Sequence, residues 1–575
     1  MATIYPGMTN SPATTLSAGI AIDATTIPLV DSSVLPAGPN ICTIGELGDE
    51  AAETIFYTTN GTNELTGVTR GYDTTGTYGA AKAWDSGVRV ARNFTNKDFS
   101  TIKEHVDDLN LHAQVFNVKN YGAVGDGITD DTVAIQAAID AAGAVYLNRG
   151  IVYFPPGEYC VSGLLVLKSN VVLIGVGASS CIVNNSTNLY AINIGDGVQT
   201  GINNVEVRNL RFGQKAGVTP IAGNGGLKIE LSGQSIIDNV IIKQFPSALY
   251  SGISVISNSQ SYFSRLAVAD CLSIGASFTN CVDLYFNNCR SDANGSHGLV
   301  FDSTEGVYAT NVSAWGNDGS GFYIDRTLTR ESKNHFYLNC VGDSSYGYNW
   351  QVKALSDAMF TNCWSSALQD TSASYVSSFI LSATGGSIFE IEFHNCKFFA
   401  GRAHGLSIYG CDKIRIFGGG ARDNGKAVTE TQAAGIRVNN STDVKIFGFL
   451  SYQQPYGIYV TGTSDKVDVI DCMLEGNTTA GLYNNSTGIA NRFSRNRGYV
   501  TENSGAATVA SGATYIDVTH GLSATPIAGS IKLTPTNNLG SAAKYWVSNI
   551  GATTFRVNVD TAPGATTATF AWSVN

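Results

Sequence analysis

Two aspartates stand at equivalent places in a repeated pattern of the chain. Asp302 ends the segment Gly-Leu-Val-Phe-Asp that begins at Gly298, and Asp325 ends the segment Gly-Phe-Tyr-Ile-Asp that begins at Gly321. If successive segments stack as neighbouring strands, their backbones lie about 4.8 Å apart, and repulsion should raise the pKa of one of the two carboxyl groups. Glycoside hydrolysis requires one protonated and one ionised carboxyl group. Asp302 and Asp325 are therefore our candidate acid and partner, although a solvated pair with no catalytic role fits the same pattern.

Further acidic residues lie in the bends that border these segments. Asp318 and Asp343 could supply an acid or a water-activating base, and Glu305 follows Asp302 closely. Aspartate is also a common turn former, and that interpretation is favoured for Asp318 and Asp343.

A longer insert follows the second of the two segments. It contains four residues that can carry positive charge: Arg326, Arg330, Lys333 and His335. We expect this insert to overhang the aspartate pair, where cations would suit an acidic polysaccharide.

The second and fourth residues after each anchor form an outward ribbon of polar and aromatic side chains. Sugar hydroxyls need hydrogen bonds, and the apolar faces of sugar rings lie against aromatic rings. The residues that we select as substrate-binding are Tyr323, Asn349, Gln351, Tyr409, Arg437 and Tyr459.

The elements that must position these residues are the turns of a repeat between about residues 205 and 503. The anchors are Gly226, Gly252, Gly275, Gly298, Gly321, Gly347, Ser378, Gly405, Gly435, Gly457 and Gly481. Each anchor is followed by alternating apolar and polar residues without a helical period, and such a repeat is typical of a solenoid. The first and third residues, such as Leu299 and Phe301, form a core face that no single turn can bury. We therefore predict an all-β chain built on a right-handed, single-stranded parallel β-helix.

A second repeated element often ends in Asn-Cys, at Cys289, Cys340, Cys363 and Cys396. We interpret it as stacked asparagines in the bends beside small buried thiols. The eleven cysteines show no zinc spacing, so we expect free thiols and folding in a reducing compartment.

Composition excludes several classes of function. The chain has 575 residues, 63 glycines and a formal net charge of −11, with no basic run, which argues against nucleic acid or an anionic membrane as the main partner. We see no signal peptide, no apolar run long enough to span a membrane, and no pattern that calls for a metal or another cofactor.

The pattern changes along the chain predict four parts. Residues 1–96 form a small β-rich domain, with strands predicted at 20–30, 41–44, 53–57 and 88–94. Residues 97–112 form a helix, which serves either as a neck between associating chains or as a linker. Residues 113–503 form the β-helix, with a helix over 129–142 whose apolar face (Val133, Ile135, Ala138 and Ile139) caps its open end. Residues 504–575 form a β-sandwich for trimerisation or glycan binding, in which Trp546 is expected in the core.

Three stretches carry a family resemblance. Residues 116–127 read Phe-Asn-Val-Lys-Asn-Tyr-Gly-Ala-Val-Gly-Asp-Gly, residues 152–159 read Val-Tyr-Phe-Pro-Pro-Gly-Glu-Tyr, and residues 171–177 read Val-Val-Leu-Ile-Gly-Val-Gly. Together they closely resemble the start of the pectate-lyase-like superfamily as it occurs in bacteriophage tailspikes. Residues 65–73, 83–84 and 90–94 resemble a module of phage tail and baseplate fibres, and residues 518–522 and 544–549 resemble a small sandwich of phage tail proteins.

The resemblance implies a parallel homotrimer in the virion tail, folded and assembled in the host cytoplasm. The N-terminal domain would bind phage tail or baseplate proteins, and the β-helix would bind a host cell-surface polysaccharide. Depolymerisation by hydrolysis at Asp302 and Asp325 is the leading expectation. A polysaccharide lyase and a non-catalytic receptor-binding spike remain the alternatives, because the superfamily hosts several chemistries.

His297 and His404 invite comparison with the Gly-His-Gly motif of polygalacturonases. The first glycine is missing from both sites, and the paired aspartates expected one turn earlier are absent. Both histidines precede an anchor glycine, so we interpret them as residues at which the chain enters a strand.

Overall fold

The computed structural model describes residues 7, 12–46, 49, 51–73, 80–95, 97–99, 115–144, 149–186, 190–194, 202–213, 225–230, 232–246, 248–366, 377–425 and 432–574. The chain divides into two compact units, Met1–Gln114 and Val115–Asn575. The predicted helix over residues 97–112 lies outside the described residues, apart from Lys97, Asp98 and Phe99.

The N-terminal unit contains two small antiparallel sheets, ordered β1-β7-β3-β4 and β2-β6-β5. Its strands are β1 Ala13–Thr15, β2 Thr26–Pro28, β3 Asn40–Ile44, β4 Glu53–Tyr57, β5 Thr59–Gly61, β6 Glu64–Thr66 and β7 Arg89–Ala91. The buried carboxylate of Glu53 accepts hydrogen bonds of 2.7 Å from two nitrogens of Arg70 and one of 2.9 Å from the indole N–H of Trp84. This network joins two of the stretches that carry the tail-fibre resemblance.

The second unit is a parallel β-helix with two long sheets. We call the 13-stranded sheet the central sheet. Its strands are β12 Leu165–Leu167, β15 Tyr190–Ile194, β18 Gly225–Glu230, β21 Ile253–Ile256, β24 Ala276–Thr279, β27 Leu299–Asp302, β30 Phe322–Asp325, β33 Trp350–Val352, β36 Phe379–Ser382, β39 Leu406–Tyr409, β42 Ala434–Asn439, β45 Tyr456–Gly462 and β47 Ala480–Ser486.

The other sheet has 28 strands and bends around the rest of each coil. It begins with β8 Val115–Asn117, β9 Asp126–Asp130, β10 Gly150–Tyr153, β11 Gly157–Val161, β13 Val171–Ile174, β14 Ser180–Asn184, β16 Ile202–Asn203, β17 Glu206–Gly213, β19 Ser232–Gly233 and β20 Ile236–Lys243. A long-strand row follows: β22 Ser259–Ser264, β25 Val282–Asn287, β28 Glu305–Thr310, β31 Lys333–Leu338, β34 Leu355–Thr361, β37 Ile388–His394, β40 Asp412–Phe417, β43 Thr442–Phe447, β46 Asp468–Ile470 and β48 Arg492–Ser494. A short-strand row alternates with it: β23 Ala267–Ala269, β26 Arg290–Asp292, β29 Ser313–Trp315, β32 Val341–Asp343, β35 Trp364–Ser366, β38 Lys397–Phe399, β41 Gly420–Arg422 and β44 Leu450–Tyr452.

The core between the sheets confirms the predicted alternation. Leu299 and Phe301 are buried, as are Phe322 and Ile324 one coil later. Aromatic rings stack from coil to coil, for example Trp350 between Phe322 (3.7 Å between centroids) and Phe379 (5.3 Å). Stacking of like residues in register therefore holds successive coils together.

The Asn-Cys element also adopts the predicted arrangement. Asn288, Asn311 and Asn339 bend the chain in the left-handed region, and their side-chain amides donate to one another along the stack. Asparagine tolerates this backbone conformation better than most residues. All eleven cysteines are buried and free.

A helix, α1 Thr132–Gly143, packs over the first coils. Ile135, Ala138 and Ile139 are buried as predicted, but Val133 is 81% exposed because it lies on the solvent side of the first helical turn. Short 3-10 helices occur at Val118–Tyr121, Gly177–Ser179 and Ala528–Ser530. Among the described residues, none of the helices has the length and apolar character that a membrane crossing needs.

The C-terminal part contains two three-stranded antiparallel sheets, β49-β54-β51 and β50-β53-β52, around a shared apolar cluster. The strands are β49 Asn503–Val509, β50 Tyr515–Thr519, β51 Ile531–Pro535, β52 Tyr545–Ser548, β53 Thr554–Val559 and β54 Ala568–Val574. The prediction that Trp546 is a core residue is wrong: it is 47% exposed, whereas Trp572 faces the core.

Candidate functional site

Asp302 and Asp325 occupy paired positions at the ends of β27 and β30. The register joins Val300 to Tyr323 and Asp302 to Asp325, so the two aspartates are neighbours one coil apart. Both side chains alternate with buried residues and belong to the outward face of the central sheet.

The carboxyl group of Asp302 is occupied by hydrogen bonds from the protein. Its Oδ1 accepts from the backbone N–H of Thr327 (2.8 Å) and from the hydroxyl of Ser303 (2.9 Å), and its Oδ2 accepts from the hydroxyl of Thr327. The backbone N–H of Leu328 donates to the Ser303 hydroxyl. Asp302 therefore fixes the start of the insert to the preceding coil.

Asp325 is only 6% exposed and lies among donors. Its Oδ2 accepts a hydrogen bond of 2.7 Å from the phenol of Tyr323, and its Oδ1 accepts one of 2.8 Å from the backbone N–H of Arg326. The ammonium group of Lys353 lies 3.8 Å from Oδ2. Gly385 closes over Oδ1 so tightly that a side chain at that position would collide with it.

Tyr323 lies at the centre of a cluster with Asp325, Lys353 and His297, which we call the Tyr323 group. Its ring stacks on the imidazole of His297 at 4.5 Å, and the Lys353 ammonium lies 5.0 Å from its centroid. Burial, the hydrogen bond to Asp325 and the charges of Asp325 and Asp302 raise the pKa of Tyr323 above its ordinary value. The phenol therefore stays protonated at neutral pH and is held by a carboxylate that can accept its proton.

His297 supports the tyrosine ring from the adjoining turn. Its Nδ1 accepts from the backbone N–H of Ser320 at 2.8 Å, which leaves the proton of the neutral ring on Nε2. Burial and the nearby Lys353 lower the pKa of His297, so the ring is neutral near pH 7. The interpretation of His297 as a strand-entry residue agrees with this backbone contact, but it overlooked the stacking on Tyr323.

The predicted register of the next coil is wrong by two residues. Tyr323 pairs with Gln351 and Phe322 with Trp350, so Asn349 takes the anchor position. Asn349 is buried and donates to the carbonyl of Ser366, so it does not lie on the outward ribbon. Gln351 lies on the ribbon, in the second position of its strand, and its side-chain oxygen accepts from the Ser320 hydroxyl at 2.9 Å.

This shift explains why sequence reasoning missed Lys353. Once Trp350 and Val352 are assigned to the core, the fourth position falls at Lys353, beside Asp325. The large side chain of Trp350 could have indicated the correct register, because an indole is more readily placed in a core than on a polar ribbon.

The other selected ribbon residues lie several coils away. Tyr409 is exposed, whereas Tyr459 is buried against the rings of Tyr456 and Tyr483. Arg437 covers the Tyr459 ring at 5.9 Å and lies 3.2 Å from Nε2 of His404. These residues form a second polar group on the same face, separate from the Tyr323 group.

The remaining acids are spread over the surrounding turns. Asp318 is exposed in a bend, while Glu305 lies 3.6 Å from Lys333 and 3.8 Å from Arg330. Asp343 ends a strand of the short-strand row, where burial raises its pKa despite hydrogen bonds from Ser344. These three are therefore not part of the Tyr323 group.

The insert overhangs the preceding coils as expected. The side chain of Arg330 extends to an earlier coil, where it donates a hydrogen bond of 2.8 Å to the side-chain oxygen of Asn280. His335, however, contributes no surface charge: it is fully buried between Thr304 and Tyr337, and burial lowers its pKa to about 4. In the part of the chain that the structure describes, no group of three or more His, Cys, Asp or Glu side chains could hold a metal ion.

Comparisons with known proteins agree with this architecture. Residues 115–289 match the family model described as rhamnogalacturonase A/epimerase, pectate lyase-like. Mannuronan C5-epimerase AlgE1 of Azotobacter vinelandii is 31% identical over 233 residues, which are 37% of this chain and 16% of that protein. Alginate lyase 7 of the same organism is 51% identical over 75 residues, which are 12% of this chain and 8% of that protein. The chain thus spans only a small part of the length of these relatives.

A solved structure extends the likeness of the fold. The tailspike protein gp49 of Pseudomonas phage LKA1 aligns with 80% of this chain and 99% of that one, at a TM-score of 0.50 and 14% identity. The shared architecture shows that the chain has a parallel β-helix fold like that of this tailspike, and the family-model match shows that its first coils are similar to the pectate-lyase-like family.

Proposed function

We propose that this protein is a bacteriophage tailspike that binds an acidic polysaccharide of the host surface along the outward face of the central sheet and cleaves it beside Tyr323. The observation that carries the proposal is the arrangement of Tyr323, Asp325 and Lys353. The phenol of Tyr323 is hydrogen-bonded to the carboxylate of Asp325, and the ammonium group of Lys353 lies near both the carboxylate and the phenol ring.

This group suits β-elimination on a uronate residue. Elimination removes the hydrogen next to the sugar carboxylate, and a positive charge beside that carboxylate stabilises the developing anion. Lys353 supplies the charge. The phenolic oxygen of Tyr323 takes the C5 hydrogen as a proton while its own proton passes to Asp325, so that no free phenolate is needed. The electron pair of the broken C–H bond forms a C4=C5 double bond, the C4–O glycosidic bond breaks, and the leaving oxygen takes a proton from solvent to become a hydroxyl group. The names of the epimerase and lyase relatives support the same class of substrate.

Hydrolysis by Asp302 and Asp325 is the second candidate, and their pairing in register favours it. A hydrolase would need one of these carboxyl groups to reach the glycosidic oxygen, but each is engaged by hydrogen bonds, and Asp325 is nearly buried. Elimination requires less rearrangement of the site and is therefore preferred.

The experiment incubates the full chain with polygalacturonate, alginate and isolated capsular polymers. Elimination yields new reducing ends together with the ultraviolet absorbance of an unsaturated uronate, whereas hydrolysis yields reducing ends alone. Binding without either product would leave a non-catalytic receptor-binding spike.

Variants assign the roles. We expect Tyr323→Phe to lower the rate by about 100-fold or more, because it removes the proton carrier and keeps the ring. Tyr308→Phe is the matched control, since Tyr308 is a partly exposed tyrosine on the long-strand row. If Tyr323→Phe cleaves as fast as Tyr308→Phe, while Asp302→Asn does not, hydrolysis replaces elimination.

The same proposal includes the assembly. The tail-fibre resemblance supports attachment of the N-terminal unit to phage tail or baseplate proteins, and family resemblance supports a parallel homotrimer located in the virion tail. Light scattering on the full chain should give three times the chain mass of 60.6 kDa, and a monomer would remove this part of the proposal.

A further inference from the structure

A shallow pocket of about 600 Å³ lies on the short-strand row, on a different sheet from the Tyr323 group. Strands β35, β38 and β41 form it, in register Trp364 with Lys397 and Phe399 with Arg422. Amide side chains of the bend complete its edge: Asn339, Asn362 and Asn395.

Two aromatic rings form the apolar part of this pocket. Trp364 is 39% exposed although it is a large indole, and its ring meets Phe399 edge to face at 6.2 Å. An exposed, immobilised indole with polar groups around it is the surface on which the apolar face of a pyranose ring packs.

Two cations stand beside the rings. Lys397 is exposed and forms no ion pair among the described residues, so its charge is available to a ligand. Arg422 lies over the Phe399 ring at 4.8 Å, and its nearest carboxylate oxygen, on Asp423, is 4.0 Å from Nε at an exposed position. The guanidinium fork is thus held in place by a ring while its outer donors face solvent.

The charge of this pocket contrasts with the rest of the molecule. The chain carries a net charge of −11, which repels a polyanion, so a polyanion is retained only where cations are concentrated. The last position of the short strands is Asp292 in β26 and Asp343 in β32, whereas it is Arg422 in β41, and Lys397 stands at the first position of β38.

We infer that this pocket is a second, non-catalytic binding site for an anionic sugar residue of a polysaccharide. The sugar ring packs on Trp364, the carboxylate pairs with Lys397 and Arg422, and the bend amides donate to hydroxyls. Because the site lies on another sheet, it would hold a second stretch of polymer and prolong contact with a polyvalent surface.

The experiment measures binding rather than cleavage, so it does not depend on the proposed reaction. Tetragalacturonate is titrated by calorimetry into the full chain carrying Lys353→Gln, which weakens the site on the central sheet. The same titration follows in that chain with Lys397→Gln and Arg422→Gln added. Lys532→Gln, an exposed lysine of the C-terminal sandwich, is the matched control for loss of a surface charge.

We expect the Lys397→Gln and Arg422→Gln pair to raise the Kd by at least about tenfold, and Lys532→Gln to leave it unchanged. Added salt should weaken the binding, and maltotetraose, the neutral counterpart, should not bind. Trp364→Phe should remove the ligand-induced change in tryptophan fluorescence without loss of folding, because the side chain is partly exposed. The inference is overturned by equal binding of the neutral oligomer, by an unchanged Kd in the paired variant, or by no binding of tetragalacturonate.

Discussion

The two rows of aspartates on this β-helix differ in what surrounds them. On the central sheet, the carboxyl groups of Asp302 and Asp325 accept hydrogen bonds from backbone and side-chain donors. On the short-strand row, Asp292 is 3% exposed, and neither of its oxygens has a hydrogen-bond partner, although Arg290 lies 3.3 Å away. Burial raises the pKa of Asp292 to about 6. The local supply of donors, more than spacing in the repeat, therefore decides how each acid behaves.

The strongest test of this contrast removes Asp325. Asp325→Ala leaves the Tyr323 phenol, the Arg326 N–H and the Lys353 ammonium without their acceptor, so we expect the free energy of unfolding to fall by about 3–5 kcal/mol. Urea-induced unfolding of the full chain measures the change. Asp325→Asn keeps an acceptor oxygen and should lose less, and equal stability of the two variants would show that these donors do not depend on the carboxylate.

Asp292→Asn should instead raise the free energy of unfolding at neutral pH. The folded-state pKa is raised from 3.8 to about 6, so the folded chain binds this proton more tightly than the unfolded chain does. The contribution of the protonated Asp292 to stability is therefore complete below its unfolded-state pKa of 3.8, and it is lost as the pH rises through about 6. A shift of about 2 pH units corresponds to about 3 kcal/mol, which the asparagine variant should recover at pH 7 but not at pH 4.

Unfolding of both proteins across this pH range measures the difference. Asp343→Asn is a milder companion, since burial raises the pKa of Asp343 while hydrogen bonds from Ser344 oppose the shift. A stability difference between Asp292→Asn and the natural chain that does not change with pH would contradict the assigned titration.

Asp302→Asn should give the smallest change. The asparagine retains one acceptor for the backbone N–H of Thr327, and the site is partly exposed, so the free energy of unfolding should fall by about 1 kcal/mol or less. Hydrogen exchange should show the loss locally, as faster exchange of the Thr327 amide. Slower or unchanged exchange there would mean that the insert is held by other contacts.

Much of the fold could be predicted from the sequence, because stacked coils place the same kind of residue at equivalent positions of successive repeats. The core positions Leu299 and Phe301 and the Asn-Cys bends could be predicted, since each is reinforced by its counterparts in neighbouring coils. Where a coil departs from the repeat, as at Trp350, the glycine at residue 347 gave the wrong register. The strand over residues 503–509 was missed, because its Gly, Ala and Ser residues lack a strand pattern of their own.

The candidate site was less predictable than the fold. Pairing of Asp302 with Asp325 follows from register alone, but the burial of Asp325 depends on Gly385, which is contributed by a later turn. The stacking of His297 on Tyr323 joins a turn to the strand of the next coil, and no sequence spacing encodes it. Contacts made by turns depend on the path of each turn, and turns do not repeat.

The buried thiols can report where the coils of this β-helix separate. Burial raises the pKa of Cys271, Cys281 and Cys411 to about 12, so almost no reactive thiolate is present while the coils stay closed. An alkylating reagent would modify each cysteine only when its own coil separates from its neighbours. Mass spectrometry of the labelled chain would therefore reveal, position by position, where along its length the stack begins to come apart.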